Sequence, residues 1–337
     1  MGERLKACVL HGVGDLRYGE VPDPVRKEGE VLIEIKASGI CGSDLPRVLA
    51  KGTYSFPTIV GHEFAGVIIE ADEEALLGRK CTAFPLLPCK ECVNCETGHY
   101  ALCENYNYYG SRCDGGFAQY ISVPLWNVVL APEELSFEEI AMTEPCAVAL
   151  YALEQARLKV GDRVCVFGAG PIGIMIGKWA TLKGAGSVTL VDIDEKKVAF
   201  AKDLGFETEI EGKYDIVIEG AGVSASYEQA MVVAKTFGTV VLMGNPIKQM
   251  ELSQHGYWEI LRKELTVKGT WNSSYTKENN TWKTALAFMK QLELSSLVSH
   301  RYELSQCNEA FTMMSERKEF FNKVMFVENR KKEENKG

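Results

Sequence analysis

The run VCVFGAGPIGIMIG, residues 164–177, constrains the fold of this chain more than any other stretch. Four strand-forming residues lead into Gly168, Gly170 and Gly173, spaced G-x-G-x-x-G, and a helix-forming segment follows. Three glycines at that spacing are a weak signal alone. Here a strand precedes them, a helix opens on them, and the next apolar run, SVTLVDID, ends in Asp192. That context makes a dinucleotide-binding βαβ unit. Gly168 allows the tight turn, Gly170 lets backbone approach a pyrophosphate, and Gly173 lets helix and strand pack closely. The helix they open, with Pro171 and Ile172 in its first turn, sets the free N–H groups of its N-terminus and the positive end of its dipole toward phosphate. Asp192 is expected to take the ribose hydroxyls and repel a 2'-phosphate, so the expected cofactor is NAD rather than NADP; Lys197 is grouped with these cofactor-binding residues. Asp194 competes for the role, but Asp192 ends the apolar run. The plain alternative is a glycine-rich turn with a solvated aspartate.

Strands and helices keep alternating downstream. EKKVAFAKDLG and SASYEQAMVVAKTF read as helices, and YDIVIEGAG, TVVLMGN and LTVKGTW as apolar strands. This is the rhythm of an α/β, doubly wound parallel sheet. The region before it is mostly β: VLIEIKASGI and FAQYISV have strand composition, with turns at PDP, SGICGS and DGG. After it come a helix, KTALAFMKQLE, then VSHRYEL, a helix containing NEAFTMMSER, and a strand KVMFV. That tail is expected to rejoin the first domain. The expected division is residues 1–146 with 292–337, and residues 147–291 for the nucleotide domain. The charged end, ENRKKEENKG, is expected to fray.

Four of the eleven cysteines fall within fifteen residues: Cys89, Cys92, Cys95 and Cys103, as C-x2-C-x2-C-x7-C. Four thiolates from one lobe suit a closed, tetrahedral structural zinc. An iron–sulfur ligand run would place its last cysteine three residues on, before a proline; here Glu104 follows. Cys8, Cys81, Cys165 and Cys307 are scattered and read as core or surface residues. No secretory segment opens MGERLKACVLHG, and no apolar stretch is long enough to span a bilayer, so a cytoplasmic location with reduced thiols is expected. The net charge of -9 argues against nucleic acid and anionic membranes as partners.

A second metal site is suggested by three separated stretches. GICGSDLPR carries Cys41, VGHEFAG carries His62 and Glu63, and MTEPCAV carries Glu144 just before the nucleotide domain. Each alone is unremarkable: a lone His is usually a satisfied core residue, and a lone Glu is usually solvated. Beside a nucleotide domain they suggest a catalytic zinc with three protein ligands and one open position.

GHE at 61–63, the four-cysteine lobe, GAGPIG at 168–173 and VDID at 191–194 together resemble the zinc-dependent medium-chain dehydrogenases of the sorbitol dehydrogenase type. The likeness covers nearly the whole chain. It is closer still, through CGSDLPR, PLLPC, GSRCDGGFAQY, TEP and LRKELTVKGTW, to a branch acting on a polyol phosphate. The resemblance implies a GroES-like catalytic domain beside a Rossmann domain. It implies a catalytic zinc on Cys41, His62 and Glu144 with Glu63 as a neighbouring carboxylate, and a structural zinc on Cys89, Cys92, Cys95 and Cys103. The segment between His62 and Cys89 is a few residues shorter than usual, and Cys113 stands where the polyol-phosphate branch has a second arginine.

The implied reaction is reversible hydride transfer between a secondary alcohol and NAD, with Ser43 as first proton relay and water or Glu63 continuing it. A phosphorylated polyol would need a fixed cation, and the candidates are Arg47, Lys51 and Arg112. Rival readings are a free-polyol, butanediol or threonine dehydrogenase and, in a different class, a non-catalytic nucleotide sensor. A homodimer or homotetramer is expected.

Overall fold

The structure is a computed structural model in which residues 4–328 are described. All of the expected frayed tail except Glu328 lies outside them. Packing divides the chain into two units. One runs to Glu144 and resumes at Tyr275; the other is Pro145–Ser274. Among the described residues no helix is long and apolar enough to cross a membrane.

The first unit is organised on the strand Glu30–Ile40, in which Val31, Ile33, Ile35 and Ala37 alternate inward and are buried. Such alternation gives a sheet one core face. This strand pairs antiparallel with Glu63–Glu70, Tyr120–Pro124 and Lys323–Val327. The sheet continues outward through Lys80–Ala83 to Val128–Leu130 on one side and Val298–Tyr302 on the other. A three-stranded sheet of Asp15–Pro22, Arg4–Gly12 and Thr58–Ile59 completes the β structure around it, with a short Leu86–Leu87/Asn107–Tyr108 pair.

The C-terminal segment therefore does rejoin the first sheet. Val298–Tyr302 and Lys323–Val327 run parallel, joined through the helix Cys307–Glu316, and Val324 lies opposite Ile40. The unit boundary falls at Tyr275, earlier than the residue 292 expected from sequence. The reason is aromatic. Tyr275 stacks on Phe84 at 4.5 Å, Trp282 meets the same ring edge-on at 5.8 Å, and Trp282 is fully buried. A segment anchored by these rings packs with the β unit.

The second unit holds a five-stranded parallel sheet in the order Ser187–Val191, Arg163–Phe167, Tyr214–Glu219, Ala234–Leu242, Thr266–Gly269. Its central strands are continuous apolar runs; Val164, Cys165, Val166, Ile216, Val217, Ile218, Val240 and Val241 are all buried, as a sheet covered on both faces requires. The helix expected over SASYEQAMVVAKTF ends at Val233, and AKTF begins the next strand instead. Lys263 accounts for the stop. Its ammonium donates to the carbonyl oxygens of Met231 (3.1 Å), Val232 (2.6 Å) and Ala234 (2.9 Å), the acceptors a helix end leaves open. LTVKGTW is reduced to the strand Thr266–Gly269, which lies at the sheet edge.

Candidate functional site

The cysteine lobe closes on itself. Cys92 caps the one-turn helix Val93–Glu96, and Cys89, Cys92, Cys95 and Cys103 bring their sulfurs within 4.8 Å of one another. Measured pairs are 3.4 Å (Cys89–Cys103), 3.6 Å (Cys92–Cys95), 3.9 Å (Cys89–Cys95) and 4.0 Å (Cys92–Cys103). Four sulfurs at the zinc–thiolate length of about 2.3 Å would stand about 3.8 Å apart at tetrahedral corners. The lobe has that size. The backbone N–H of Glu104, then that of Cys95, holds the Cys92 thiol down at about 6, which favours the thiolate a metal needs.

The second cluster lies where strand Glu30–Ile40 ends. The chain turns at once: the Cys41 N–H donates to Asp44 Oδ2 (3.0 Å), and the Asp44 N–H donates back to the Cys41 carbonyl (3.0 Å). Both the Ser43 hydroxyl (3.3 Å) and the Ser43 backbone N–H (3.5 Å) donate to the Cys41 sulfur. His62 and Glu63 arrive on the neighbouring strand after Gly61, whose φ is +94°. A Cβ at Gly61 would lie 2.2 Å from the Phe117 ring, so only glycine turns the chain here and delivers His62 inward. Donor atoms of Cys41, His62 and Glu63 come within 4.8 Å of one another. Glu144, in the first turn of helix Thr143–Ala156, lies outside that set, and its Oε1 accepts from the Tyr108 hydroxyl at 3.3 Å. Its charge is nonetheless felt by Cys41.

Charge arithmetic separates the two glutamates. Asp44 is fully buried and paired with Arg47 at 2.5 Å. Glu63 is buried and paired with the buried ammonium of Lys323. With those two pairs closed, Cys41, Glu144 and His62 remain without a cationic partner of their own. Burial, followed by the Glu63 and Asp44 charges, pushes the Cys41 thiol up. Burial likewise raises the Glu144 carboxyl to about 7, with His62 opposing and Glu63 adding. His62 Nδ1 is a buried nitrogen without a hydrogen-bond partner, 3.5 Å from Asp44. A thiolate, an imidazole and a carboxylate carrying two negative charges in a buried site fit a divalent zinc ion.

Three residues escaped the sequence reading. Asp44 had a local signal, a buried-type acid within CGSD three residues before Arg47. Lys323 had a faint one, a lysine opening the apolar strand KVMFV. Tyr108 had none. Its ring meets His62 edge-on at 5.5 Å, and burial, followed by the Glu144 charge, pushes its phenol up and keeps it a hydrogen-bond donor.

In the second unit the nucleotide turn has the expected form. Pro171 opens helix Pro171–Leu182 directly after Gly170. A Cβ at Gly173 would lie 1.8 Å from the Gly168 carbonyl oxygen, which explains its identity. Asp192 accepts from the backbone N–H of Ala169 (2.9 Å) and Asp194 (3.0 Å), so its carboxylate is locked beside the turn. Asp194 instead caps helix Glu195–Asp203, accepting from the Lys196 N–H at 2.9 Å. Lys197 stands 3.7 Å from Asp192. Ile172 is half-buried in the first turn of its helix.

The three basic candidates differ. Arg47 is tied to Asp44 and lies close enough to Tyr108 to lower its pKa. Lys51 is exposed at the end of the short helix Arg47–Lys51. Arg112 is stacked between the rings of Tyr54 (4.1 Å) and Tyr106 (4.5 Å), and among the described residues no carboxylate pairs with it. Its backbone N–H donates to the Tyr108 carbonyl at 2.9 Å, so one loop carries both residues.

Two outcomes test this geometry. Lys323→Met leaves the Glu63 carboxylate buried without its cation, and is expected to lower unfolding stability by about 3–5 kcal/mol in denaturant titration. Glu144→Gln is expected to leave about one zinc per chain by elemental analysis, whereas Glu63→Gln retains about two. The reverse order would make Glu63 the ligand.

Comparison with known proteins identifies the family. Residues 27–133 match the alcohol dehydrogenase GroES-like domain, and residues 171–291 match the zinc-binding dehydrogenase family. Galactitol 1-phosphate 5-dehydrogenase of Escherichia coli K12 is 34% identical over 320 residues, covering 88% of this chain and 92% of the relative. Sorbitol dehydrogenase of Bombyx mori is 29% identical, covering 91% and 94%. The crystal structure of galactitol-1-phosphate dehydrogenase from Escherichia coli superposes with a TM-score of 0.90 at 33% identity, covering 96% of this chain and all of that one. A zinc-binding dehydrogenase from Sinorhizobium meliloti, bound to NADP, gives 0.89 at 27% identity, covering 97% of this chain and 100% of the other. The chain belongs to the zinc-binding, medium-chain dehydrogenases of the polyol dehydrogenase family: an oxidoreductase with a GroES-like domain and a Rossmann nucleotide-binding domain.

Proposed function

We propose that this enzyme oxidises a secondary alcohol of a phosphorylated polyol to the ketose with NAD, in the manner of galactitol-1-phosphate 5-dehydrogenase. The observation that carries the phosphate is Arg112. A guanidinium clamped between two tyrosine faces, with no acidic partner among the described residues, keeps its N–H edges available for bidentate anion contact. Lys51 adds exposed positive charge. Arg47 is largely neutralised by Asp44 and serves mainly to hold that aspartate.

Cys41, His62 and Glu144 would hold a zinc ion, which would supply Lewis acidity toward the alcohol oxygen, and Gly168–Gly173 with Asp192 would hold NAD as the hydride acceptor. The chain's own groups do the rest. Tyr108 orients the Glu144 carboxylate. Lys323 draws Glu63 into an ion pair, so that carboxylate would be less available to the metal. The Ser43 hydroxyl, resting on the Cys41 sulfur, is the first proton acceptor along the path out, and water or Glu63 continues it. Cys89, Cys92, Cys95 and Cys103 would hold a second zinc, which would keep residues 89–103 in shape. Two neighbouring charges bear on NAD against NADP in opposite senses: Asp192 repels a 2'-phosphate, while Lys197 partly offsets it.

One observation favours a free polyol instead. Cys113, beside Arg112, has its thiol pushed up to about 12 by burial and therefore brings no charge to the anion site. Butanediol and threonine are further rivals. Against a non-catalytic sensor stands the gathering of Cys41, His62 and Glu63 donor atoms within 4.8 Å, with the buried Glu144 charge acting on Cys41. We also place the chain in the cytoplasm, as metal-binding rather than disulfide-forming cysteines suggest, and as a homodimer or homotetramer. Its free sheet edge Thr266–Gly269 and the exposed Trp271 suit pairing between copies, measurable as mass by light scattering.

The test is NAD reduction by zinc-loaded protein with galactitol against galactitol 1-phosphate, sorbitol against sorbitol 6-phosphate, butanediol and threonine. A phosphorylated polyol is expected to win in kcat/KM. Arg112→Gln should then cut that value on the order of 10–100-fold while leaving free polyols nearly unchanged. Equal rates with and without phosphate would remove the phosphate site but leave the dehydrogenase reading intact. The cofactor is tested separately: wild type is expected to prefer NAD, and Asp192→Ser to narrow that preference on the order of tenfold.

A further inference from the structure

We propose that Glu219 selects the oxidised form of the cofactor. Its buried negative charge, at the carboxyl edge of the nucleotide-binding sheet, favours the cationic nicotinamide ring over the neutral reduced ring. This rests on reading the Gly168–Gly173 turn as a nicotinamide dinucleotide site.

Glu219 closes strand Tyr214–Glu219, the middle strand of the five-stranded parallel sheet, and is 2% exposed. The strand ends on both sides are tied to it. The Gly220 N–H donates to the Phe167 carbonyl (2.9 Å), and the Glu219 carbonyl accepts from the N–H groups of Met243 and Gly244 (2.9 Å each). The side chain folds back onto its own loop. Glu219 Oε1 accepts from the N–H groups of Ala221 (3.0 Å) and Gly222 (2.8 Å) and from the Ser226 hydroxyl (2.7 Å). Oε2 faces Gly244, where a Cβ would lie 2.8 Å from it. A Cβ at Gly168 would lie 3.5 Å from the Gly220 carbonyl carbon, so the loop held by Glu219 borders the nucleotide turn.

Those hydrogen bonds shape the loop, but they do not need a charge. An amide carbonyl oxygen accepts the same donors. Among the described residues no Lys, Arg or His forms an ion pair with Glu219, so the loop by itself leaves a buried anion without a cation, which costs free energy. Strand order locates a positive group that offsets this cost. Ser187–Val191, which leads into Asp192, lies on one side of Arg163–Phe167, and Tyr214–Glu219 lies on the other. A dinucleotide along the carboxyl edge, with its adenosine ribose at Asp192 and its pyrophosphate at Gly168–Gly173, extends its other half over the end of Tyr214–Glu219. That half carries the nicotinamide ring, positive when oxidised and neutral once it holds the hydride. Asp192 is bonded to the N–H groups of Ala169 and Asp194 at the adenosine end. Glu219 rather than Asp192 is therefore placed to tell the two redox forms apart. The result is a bias toward binding NAD+ and releasing NADH.

The test measures dissociation constants of NAD+, NADH and ADP-ribose by calorimetry for the zinc-loaded full chain and for its Glu219→Gln and Ser226→Ala variants. Glu219→Gln keeps an oxygen for the loop donors and removes the charge. It is expected to weaken NAD+ about tenfold and to leave NADH and ADP-ribose within about twofold, which lowers the ratio of the NADH to the NAD+ dissociation constant about tenfold. Ser226→Ala loosens the same loop with the charge in place, and is expected to leave that ratio as in wild type. An unchanged ratio in Glu219→Gln would overturn the proposal. A ratio that falls equally in Ser226→Ala would also overturn it, whether or not the glutamine variant folds, because loop shape and not charge would then discriminate. Wild type that binds neither NAD+ nor NADH would remove the nicotinamide reading and the proposal with it, whereas tight binding of both with an insensitive ratio removes the proposal alone.

Discussion

The buried ion pair between Glu63 and Lys323 is the interaction on which the first unit's chemistry depends. Both groups are out of water, and neither charge is tolerable there without the other. The pair joins the strand Glu63–Glu70, which follows His62 directly, to the last described strand of the chain, and its ammonium also donates to the Ile40 carbonyl at 3.3 Å, one residue before Cys41. Sheet register, metal-ligand placement and local charge balance thus meet at one lysine. Asp44 with Arg47 forms a second neutral pair on the other side of Cys41. What is left between the pairs is a thiol, an imidazole and a carboxyl group, a donor set of the kind a divalent cation takes, and this pairing of Glu63 is the ground on which Glu144 is proposed as the third donor.

The same economy of shape governs the backbone. Gly61 and Gly173 are each required by a close approach, one by the Phe117 ring and the other by the Gly168 carbonyl. The first turns His62 inward, and the second lets helix Pro171–Leu182 pack close to the turn that precedes it. The two residues lie in different units.

What could be read from sequence was local in the chain. The glycine turn, the acid ending the next strand and the four-cysteine lobe each lie within about thirty residues, so spacing alone carries their geometry. The separation of Asp192 from Asp194 became definite only through hydrogen bonds: one is locked beside the turn, the other caps a helix. Lys323 pairs with a residue 260 positions away, and no periodicity predicts that. Tyr108 reaches Glu144 through the fold, not through spacing. The helix that stops at Val233 does so because Lys263, thirty residues later, takes its final carbonyls. The boundary at Tyr275 follows from ring packing on Phe84, which hydrophobic pattern alone does not reveal.

The central claim is that one zinc is structural and another works. Zinc per chain should be measured in the native protein during timed exposure to a chelator, with activity followed in parallel. Two zincs at the start, with activity vanishing as the first is lost and the second released only on unfolding, is the predicted course. A single zinc in fully active protein, or activity that survives removal of the more labile ion, would contradict it.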